Sequence, residues 1–295
     1  MAATSLAGNI NLATARPSQR RRQLVRISQQ KGIVIGGLIL IVIVVAALLA
    51  PLLTTHDPEL IVGVDRLQGP SREHPFGTDG QGRDVYSRVI YGARLSLGVG
   101  FAVSIATVIA GTAVGLIAGY YRRIDGPIMR VMDGMMAFPG IILAIGIMAV
   151  RGAQISNIVL ALTVVYMPRL ARIIRSIVLG FRESQFVEAA QAIGALNSRV
   201  LWRHILPNCA APLIVQASFV FAEAIIGEAT LSFLGAGASP GIPSWGVMLN
   251  ESKGVLRQAP WSMLFPGIAL TLTVFALNLL GDGLRDLLDP RLRHR

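Results

Sequence analysis

Residues whose side chains could act on a phosphate or a substrate are few in this chain of 295 residues, and only two are lysines. A nucleotide-binding P-loop needs Gly-Lys followed by Ser or Thr, because the lysine and the loop's backbone N–H groups hold the phosphates. Lys31 follows Gln30 and Lys253 follows Ser252, so neither lysine fits the pattern. The chain therefore cannot hydrolyse ATP through a P-loop. Any ATP hydrolysis that drives its function must take place on another chain.

The histidines give no sequence signature of a metal or hydrolytic centre. They stand at positions 56, 74, 204 and 294, scattered over segments that the topology below assigns to both sides of a membrane, and no HExxH is present. The single cysteine, Cys209, excludes an intrachain disulfide and a cysteine-based zinc cluster. A Ser-His-Asp arrangement is compatible with the composition, but nothing marks an activated serine. We therefore expect no enzyme activity and no metal site.

The composition points to a membrane protein. Of all residues, 53% are hydrophobic and 15% are charged, whereas soluble domains average about 25% charged residues. Several apolar runs approach or exceed the ~18 residues that span a bilayer. The net charge of +11 could suggest nucleic acid, but the basic residues lie in short segments between the apolar runs, as topology signals do. We expect an all-α polytopic membrane protein with no nucleic-acid partner.

Six apolar stretches are predicted to be transmembrane helices, at residues 33–53, 96–120, 131–150, 157–179, 207–228 and 263–283. The first follows a basic tail, residues 1–32, and is longer than the ~7–15 residues of a signal-peptide core, so it is predicted to stay as an uncleaved helix. The other five form a core over residues 96–283.

The basic residues predict the orientation. Those at residues 1–32, 121–130, 169–206 and 284–295 number 19 of the 27 in the chain, and 8 lie at 54–95, 151–156 and 229–262. The two sets of segments have similar total lengths. The positive-inside rule therefore places both termini and the loop 181–206 in the cytoplasm, with residues 54–95 and 229–262 outside.

The two external loops have distinct compositions. Residues 54–95 are polar and end in the amphipathic run RDVYSRVIYGARLSL, whereas residues 229–262 are rich in Gly, Pro and Trp. Both could be inert connectors, but long loops without secondary structure are usually functional, so a docking or gating role stays open.

The cytoplasmic stretch 184–206 is predicted to form a helix, a glycine turn and a second helix. Ser184 is the candidate N-cap, and Gly194 suits the left-handed position that ends a helix. Ser198 is predicted to cap the second helix, RVLWRHI, before Pro207 opens the fifth span. Apolar residues recur at helical i, i+3, i+4, i+7 spacing, at Phe186, Ala189, Ala190 and Ile193.

Two interpretations of this stretch are open. It could be an amphipathic hairpin resting on the bilayer, or a lever that fits a groove on a partner protein. Alanines at 189, 190 and 192 make a slim helix that allows close approach. Trp202 and Arg203 are residue types enriched at binding hot spots. These details favour the lever.

Polar residues at membrane depth are functional candidates by default. Glu223 lies in the fifth span, where a carboxylate needs a polar partner or a water-filled lumen, and Glu228 lies toward its outer end. Both, together with Asn278 in the sixth span, are candidates for a solute pathway or a subunit interface, although an asparagine more often serves packing. Asp133 and Asp282 are expected to cap helices or pair with Arg130 and Arg285.

The stretch 188–207, EAAQAIGALNSRVLWRHILP, resembles the EAA loop of ABC importer permeases. That pattern is Glu-Ala-Ala, three residues, Gly, and a spacer ending in Ile-x-Leu-Pro. Here His204 takes the usual Ile position, and the matching residues are Glu188, Ala189, Ala190, Gly194, Leu206 and Pro207.

Four further stretches are similar to the dipeptide and oligopeptide subfamily of these permeases. They are HPFGTDGQGRDVYSRVIYGARLSL at 74–97, GEATLSFLGAG at 227–237, PSWGVML at 243–249 and NLLGDGLRDLLDPRLR at 278–293. The resemblance runs from about residue 33 to the end, and the tail 1–31 matches no such motif.

The resemblance implies the ABC importer permease fold and a non-catalytic, multi-pass subunit of the bacterial inner membrane. The implied partners are the lipid bilayer, a second similar permease, two ATPase subunits carrying ATP and Mg²⁺, an extracytoplasmic substrate-binding protein and a peptide substrate. The loop 181–206 would be the coupling element that fits an ATPase cleft, through Glu188, Ala189, Ala190, Ala192, Ile193, Gly194, Leu196, Trp202 and Arg203.

Several functions remain as alternatives. Dipeptides or short oligopeptides are the expected substrates, and nickel complexes or glutathione-like compounds are possible within the same subfamily. A secondary transporter driven by an ion gradient would find its best support in Glu223. A membrane anchor or receptor without transport is the third class.

Overall fold

The computed structural model of the chain describes residues 30–239 and 241–288, and these ranges are almost entirely helical. The rest of the basic tail and residues 289–295 lie outside the described residues. Long apolar stretches fold as helices because a helix satisfies every backbone polar group within its own segment. The helices are α1 (Lys31–Leu48), α2 (Ala50–Leu53), α3 (Val85–Tyr120), α4 (Arg122–Met136), α5 (Gly140–Arg151), α6 (Ile155–Arg182), α7 (Gln185–Ala192), α8 (Asn197–Arg199), α9 (Ala210–Phe233), α10 (Trp245–Glu251) and α11 (Trp261–Leu288).

Five helical stretches are long and apolar enough to cross a membrane, and α4 with α5 makes a sixth if the two are counted as one span. The predicted all-α, six-span class is confirmed. The expected single helix over residues 131–150 is instead broken, because α4 and α5 meet at 90°. Pro139 stands at the break, and a proline lacks the helical donor and disfavours helical geometry in the residue before it, here Phe138.

Helices α3 and α6 pack closely through a row of glycines on α3. A Cβ atom added to Gly115 would lie 2.6 Å from the carbonyl oxygen of Ala171, and one added to Gly119 would lie 2.7 Å from Cβ of Val178. With Gly111 these residues repeat every four positions, the spacing that lets two membrane helices bring their backbones together. The glycine row therefore fixes α6 against α3.

Helix α1 packs against α11. A Cβ at Gly36 would lie 2.6 Å from the carbonyl oxygen of Ala276, so the two backbones are again in close contact. The opposite surface of α1 is apolar and exposed, as expected of a helix facing lipid, at Leu38, Ile41, Val42 and Val45.

At one end of the bundle, residues 54–88 pack with residues 243–260; we call this the loop end. Arg83 and Arg88 are buried there, and their guanidinium groups lie 2.6 and 2.9 Å from the same Glu251 carboxylate oxygen. Asp79 adds a second carboxylate, 2.7 Å from Arg83. These ion pairs join the loop before α3, through Arg83, and the first turn of α3, through Arg88, to α10, which lies more than 160 residues later.

Hydrogen bonds complete the loop end. Asp84 caps α3 by accepting from the Ser87 N–H at 2.7 Å, and its other oxygen lies 3.0 Å from Nδ1 of His74. The Trp245 indole N–H donates to the Val89 carbonyl, and that of Trp261 donates to the Thr78 carbonyl, both at 3.0 Å. The two long loops thus form one packed layer over the ends of α3 and α11.

Candidate functional site

Residues 183–209 form the opposite end of the bundle, which we call the turn end. Helix α7 follows Ser184, which occupies the predicted N-cap position, although its hydroxyl bonds the Phe181 carbonyl and makes no cap hydrogen bond. Gly194 has φ +82°, as predicted, and its N–H donates to Gln191 while the next N–H, of Ala195, donates to Ala190. This is the Schellman arrangement, which ends α7 sharply.

The second helix differs from its prediction. It begins at Asn197 with Leu196 as N-cap, so the expected cap at Ser198 is wrong. It then runs through a π-helical turn, Val200–Ile205, and a 3₁₀ turn, Leu206–Cys209, into α9, making one helix of 37 residues. Pro207 accounts for the irregular turns, because a proline removes one helical hydrogen bond and its ring clashes with the carbonyl four residues earlier.

The inner side of the turn end packs against α3 and α6. One side of α7, at Val187 and Ala190, is buried there, whereas Phe186, Ala189 and Ile193 on its other side are exposed. The buried cluster comprises Leu116, Tyr120, Leu170, Ile174, Val178, Val187, Ala190, Val200, Leu201, Ile205 and Cys209.

Tyr120, at the end of α3, joins both short helices. Its hydroxyl donates to Oδ1 of Asn197 at 2.8 Å and accepts from Nε2 of Gln191 at 3.2 Å. Arg182, at the end of α6, donates to the Gly119 carbonyl beside it. The turn end is therefore attached to α3 and α6 by hydrogen bonds and is continuous with α9.

The outer side of the turn end carries large apolar side chains that none of the described residues covers. Ile193 is 87% exposed, Leu196 is 74% exposed and Trp202 is 69% exposed. Of the residues predicted to contact a partner, Ala190 alone is buried. The exposed ones are Glu188, Ala189, Ala192, Ile193, Gly194, Leu196, Trp202 and Arg203. Large apolar groups left open together are typical of a surface that binds a partner.

A second candidate region is a row of arginines on α6. A spacing of three residues places Arg169, Arg172 and Arg175 along one side of the helix. Each arginine has its own carboxylate from another helix, at 2.7, 2.5 and 2.5 Å, namely Glu223 on α9, Asp133 on α4 and Asp125 on α4. We expected Asp133 to cap a helix or to pair with Arg130, but it pairs with Arg172. Within the described residues, Asp282 makes no ion pair with Arg285.

The first of these ion pairs lies at membrane depth. Arg169 is about 21 Å along α6 from Ile155, at a rise of ~1.5 Å per residue. Both Arg169 and Glu223 are partly exposed on the surface of the chain. Charges facing hydrocarbon are costly, so this side of α6 and α9 must meet water or a polar partner surface.

Glu223 and Asn278 line one cavity of about 270 Å³ with Arg169 and Arg285. The Tyr166 hydroxyl closes one wall by donating to the Glu223 carbonyl at 3.0 Å. The structure therefore brings together two of the three polar candidates from different spans.

Glu228 is not among them. Its side chain is fully buried between α3 and α9, where Ser96 donates to it at 3.1 Å and Ser232 at 2.8 Å. In this structure its carboxylate lies within the packing of the chain, and its expected place on a pathway or an interface stays a prediction.

Sequence comparisons identify relatives along nearly the whole chain. Residues 111–294 match the family model described as binding-protein-dependent transport system inner membrane component, and residues 18–70 match the N-terminal TM domain of oligopeptide transport permease C. A peptide transport system permease protein of Brucella suis is 49% identical over 91% of this chain and 90% of its own length. The dipeptide transport system permease protein DppC of Alkalihalophilus pseudofirmus is 46% identical over 92% and 90%.

A structural comparison identifies the same architecture. The MetNI methionine ABC transporter, solved in inward facing conformations, has a chain that superimposes with a TM-score of 0.57 at 17% identity. The match covers 68% of this chain and 96% of that one. At this identity the likeness establishes the fold of an ABC importer permease and nothing finer.

Proposed function

This chain belongs to the family of binding-protein-dependent transport system inner membrane components, and from that premise we propose that it forms half of the translocation pathway of an ATP-driven importer for dipeptides or short oligopeptides. Peptide and dipeptide permeases matching over some nine-tenths of the chain support this substrate class. In this role the chain itself carries out no catalysis.

The proposed assembly has two permeases and two ATPases. The second permease is a homologous chain in the bacterial inner membrane, and an extracytoplasmic binding protein delivers the peptide to the loop end. Both termini and the turn end lie in the cytoplasm. The basic residues concentrated at 169–206 support this orientation.

The observation that carries the proposal is the exposed apolar side of the turn end. Ile193, Leu196 and Trp202 extend from a segment whose other side is fixed to α3 and α6. Such a surface fits a cleft on an ATPase subunit, with the slim α7 inserted and Trp202 as an aromatic anchor.

The anchoring explains how a partner could drive the gate. Closure of the ATPases displaces α7 and α8, and Tyr120 passes that displacement to α3 while the continuous backbone passes it to α9. Packed helices shift between discrete arrangements and do not bend smoothly, so a small displacement becomes inward or outward opening. ATP and Mg²⁺ act entirely on the ATPase subunits in this scheme.

Cysteine cross-linking tests the coupling assignment. The single native cysteine, Cys209, is buried, so single-cysteine variants can be made on a Cys209→Ser background. Ile193→Cys should cross-link to an ATPase subunit in assembled membranes and react with a membrane-impermeant maleimide only from the cytoplasmic side. Val64→Cys, equally exposed but at the loop end, is the control. Labelling of Ile193→Cys from outside, or its failure to reach any ATPase, would refute the assignment.

The cavity at Glu223 is the proposed pathway or permease–permease interface. A dipeptide carries a free ammonium and a free carboxylate, and Glu223 with Arg169 presents the opposite charges 2.7 Å apart. Asn278 adds a neutral polar group on the same wall. This arrangement supports a solute with both charges.

Reconstitution tests the substrate class. The purified four-subunit complex should hydrolyse ATP faster when its loaded binding protein supplies a dipeptide. Stimulation only by glutathione or by a nickel complex would replace the peptide assignment while keeping the importer. Uptake by this chain alone in liposomes, without ATPases, would instead establish an ion-driven transporter.

A further inference from the structure

Three potential metal ligands meet at the loop end. His56 follows α2, and Glu73 and His74 precede α3, so the two sides of the cluster come from different parts of the loop. Their ligand atoms all lie within 4.8 Å of one another, and the two imidazole rings are 4.8 Å apart between centroids. The histidines are thus not scattered as the sequence suggested, since two of the four stand together.

The hydrogen bonds leave the outer nitrogen of each ring available. His74 Nδ1 lies 3.0 Å from the Asp84 carboxylate, which selects the tautomer with its lone pair on Nε2. A metal-binding histidine almost always has such a carboxylate or carbonyl on its other nitrogen. Nδ1 of His56 lies 3.1 Å from the Thr55 hydroxyl, which can accept from it and leave Nε2 free.

We propose that His56, Glu73 and His74 bind one divalent transition-metal ion of the Zn²⁺ class, with Asp84 as the positioning residue behind His74. Two imidazoles and a carboxylate are a donor set that suits this class, and water completes a tetrahedron. Ligand atoms on such an ion are about 3.3 Å apart at bond lengths of ~2.0–2.2 Å. To reach that spacing the widest separation in the cluster must shrink by at most about 1.5 Å, and Glu73 and His56 are the two less buried members that can move.

The bound ion would add a further link between the segment that follows α2 and the segment that leads into α3. His56 is attached through α2 to the first span, whereas Asp84 begins α3. An ion bound only by the folded arrangement stabilises it by mass action. This inference stands apart from the transport proposal, because it requires only that the loop end folds.

Cobalt titration tests the site. The full-length chain, purified without a polyhistidine tag, is titrated with micromolar Co²⁺ and followed by the visible absorption of the tetrahedral ion. One Co²⁺ per chain is expected, displaced by Zn²⁺. His56→Gln and Glu73→Gln should each weaken binding at least about tenfold. His204→Gln, at the turn end, is the matched control and should bind normally.

His56→Gln keeps the test decisive, because His74 also supports the Asp84 cap and its replacement could disturb the fold. Zn²⁺ should raise the thermal unfolding midpoint of the native chain and of His204→Gln but leave that of His56→Gln unchanged. Binding by His56→Gln with native affinity, or the absence of a tetrahedral Co²⁺ spectrum in the native chain, would overturn the proposal.

Discussion

The loop end and the turn end differ in which kinds of side chain they bury and expose. At the loop end, Arg83 and Arg88 are buried and share Glu251, so long charged groups are satisfied inside the chain. At the turn end, Ile193 and Trp202 are left in contact with solvent. Burying a charge is tolerable only with a partner, and exposing a large apolar group is favourable only if something later covers it. The loop end therefore satisfies its buried charges within the chain, whereas the turn end leaves uncovered the apolar side chains that we propose to be its coupling surface.

Helix α3 connects the two ends. It has 36 residues, or about 54 Å, and begins at the Asp84 cap and ends at Tyr120. The glycine row on its second half holds α6 alongside. Variants at either end and between them can therefore separate defects of folding from defects of partner binding.

The largest expected effect is at the buried ion pairs of the loop end. Arg88→Leu leaves Glu251 and Asp79 short of one cation in a buried site, and breaking a buried pair costs about 3–5 kcal/mol. The thermal unfolding midpoint in detergent should fall steeply. Arg72→Leu, an exposed arginine of the same loop, should change little. Equal midpoints for the two variants would show that the loop end does not depend on its ion pairs.

The second-largest effect is expected at the contact between α3 and α6. Gly115→Leu inserts a side chain where even a Cβ would meet backbone at 2.6 Å, so overpacking should cost about 1–3 kcal/mol or more. Gly98→Leu is the matched control, since nothing lies within 4 Å of a Cβ there. Protease resistance of the purified chain measures both. A native-like Gly115→Leu variant would refute close backbone packing as the link between the ends.

At the turn end, Trp202→Ala should weaken partner binding without lowering stability. An exposed residue costs within about 0.5 kcal/mol on folding, whereas an aromatic anchor is worth about 2 kcal/mol at an interface, roughly 30-fold in affinity. Co-purification with the ATPase and the unfolding midpoint are measured together. The exposed Leu60→Ala at the loop end should alter neither. A lowered midpoint with normal co-purification would assign Trp202 to the fold.

The smallest of the four expected free-energy effects is at Gly194. Its φ of +82° costs an L-residue with a Cβ about 1–2 kcal/mol, so Gly194→Ala should tilt α7 against α8. The number of ATP molecules hydrolysed per solute imported should rise. Gly194→Asn should retain more coupling, because asparagine tolerates the left-handed region better. Identical coupling in Gly194→Ala and the native complex would remove the geometric requirement from the mechanism.

Much of the fold could be predicted from local signals. The apolar runs located the spans, and Gly194 was correctly expected to end α7, because these features depend on residues close in sequence. The prediction of one helix over residues 131–150 missed the break at Pro139. The surrounding run is apolar enough to fit a single transmembrane helix, although the proline could have indicated a break. The GxxxGxxxG spacing at residues 111–119 was likewise visible and would have predicted the close contact with α6.

The amino-acid sequence alone determined that this chain is a helical membrane protein with an EAA-type turn. Transfer of apolar segments into lipid, helix ends and motif spacing are properties of short stretches. Only the tertiary structure decided that Glu223 pairs with Arg169, 54 residues away, and that Glu228 is enclosed by serines. It likewise decided that Ala190 is covered while Ile193 is open. Which side of a helix is covered depends on neighbours distant in sequence, and periodicity along one helix does not specify them.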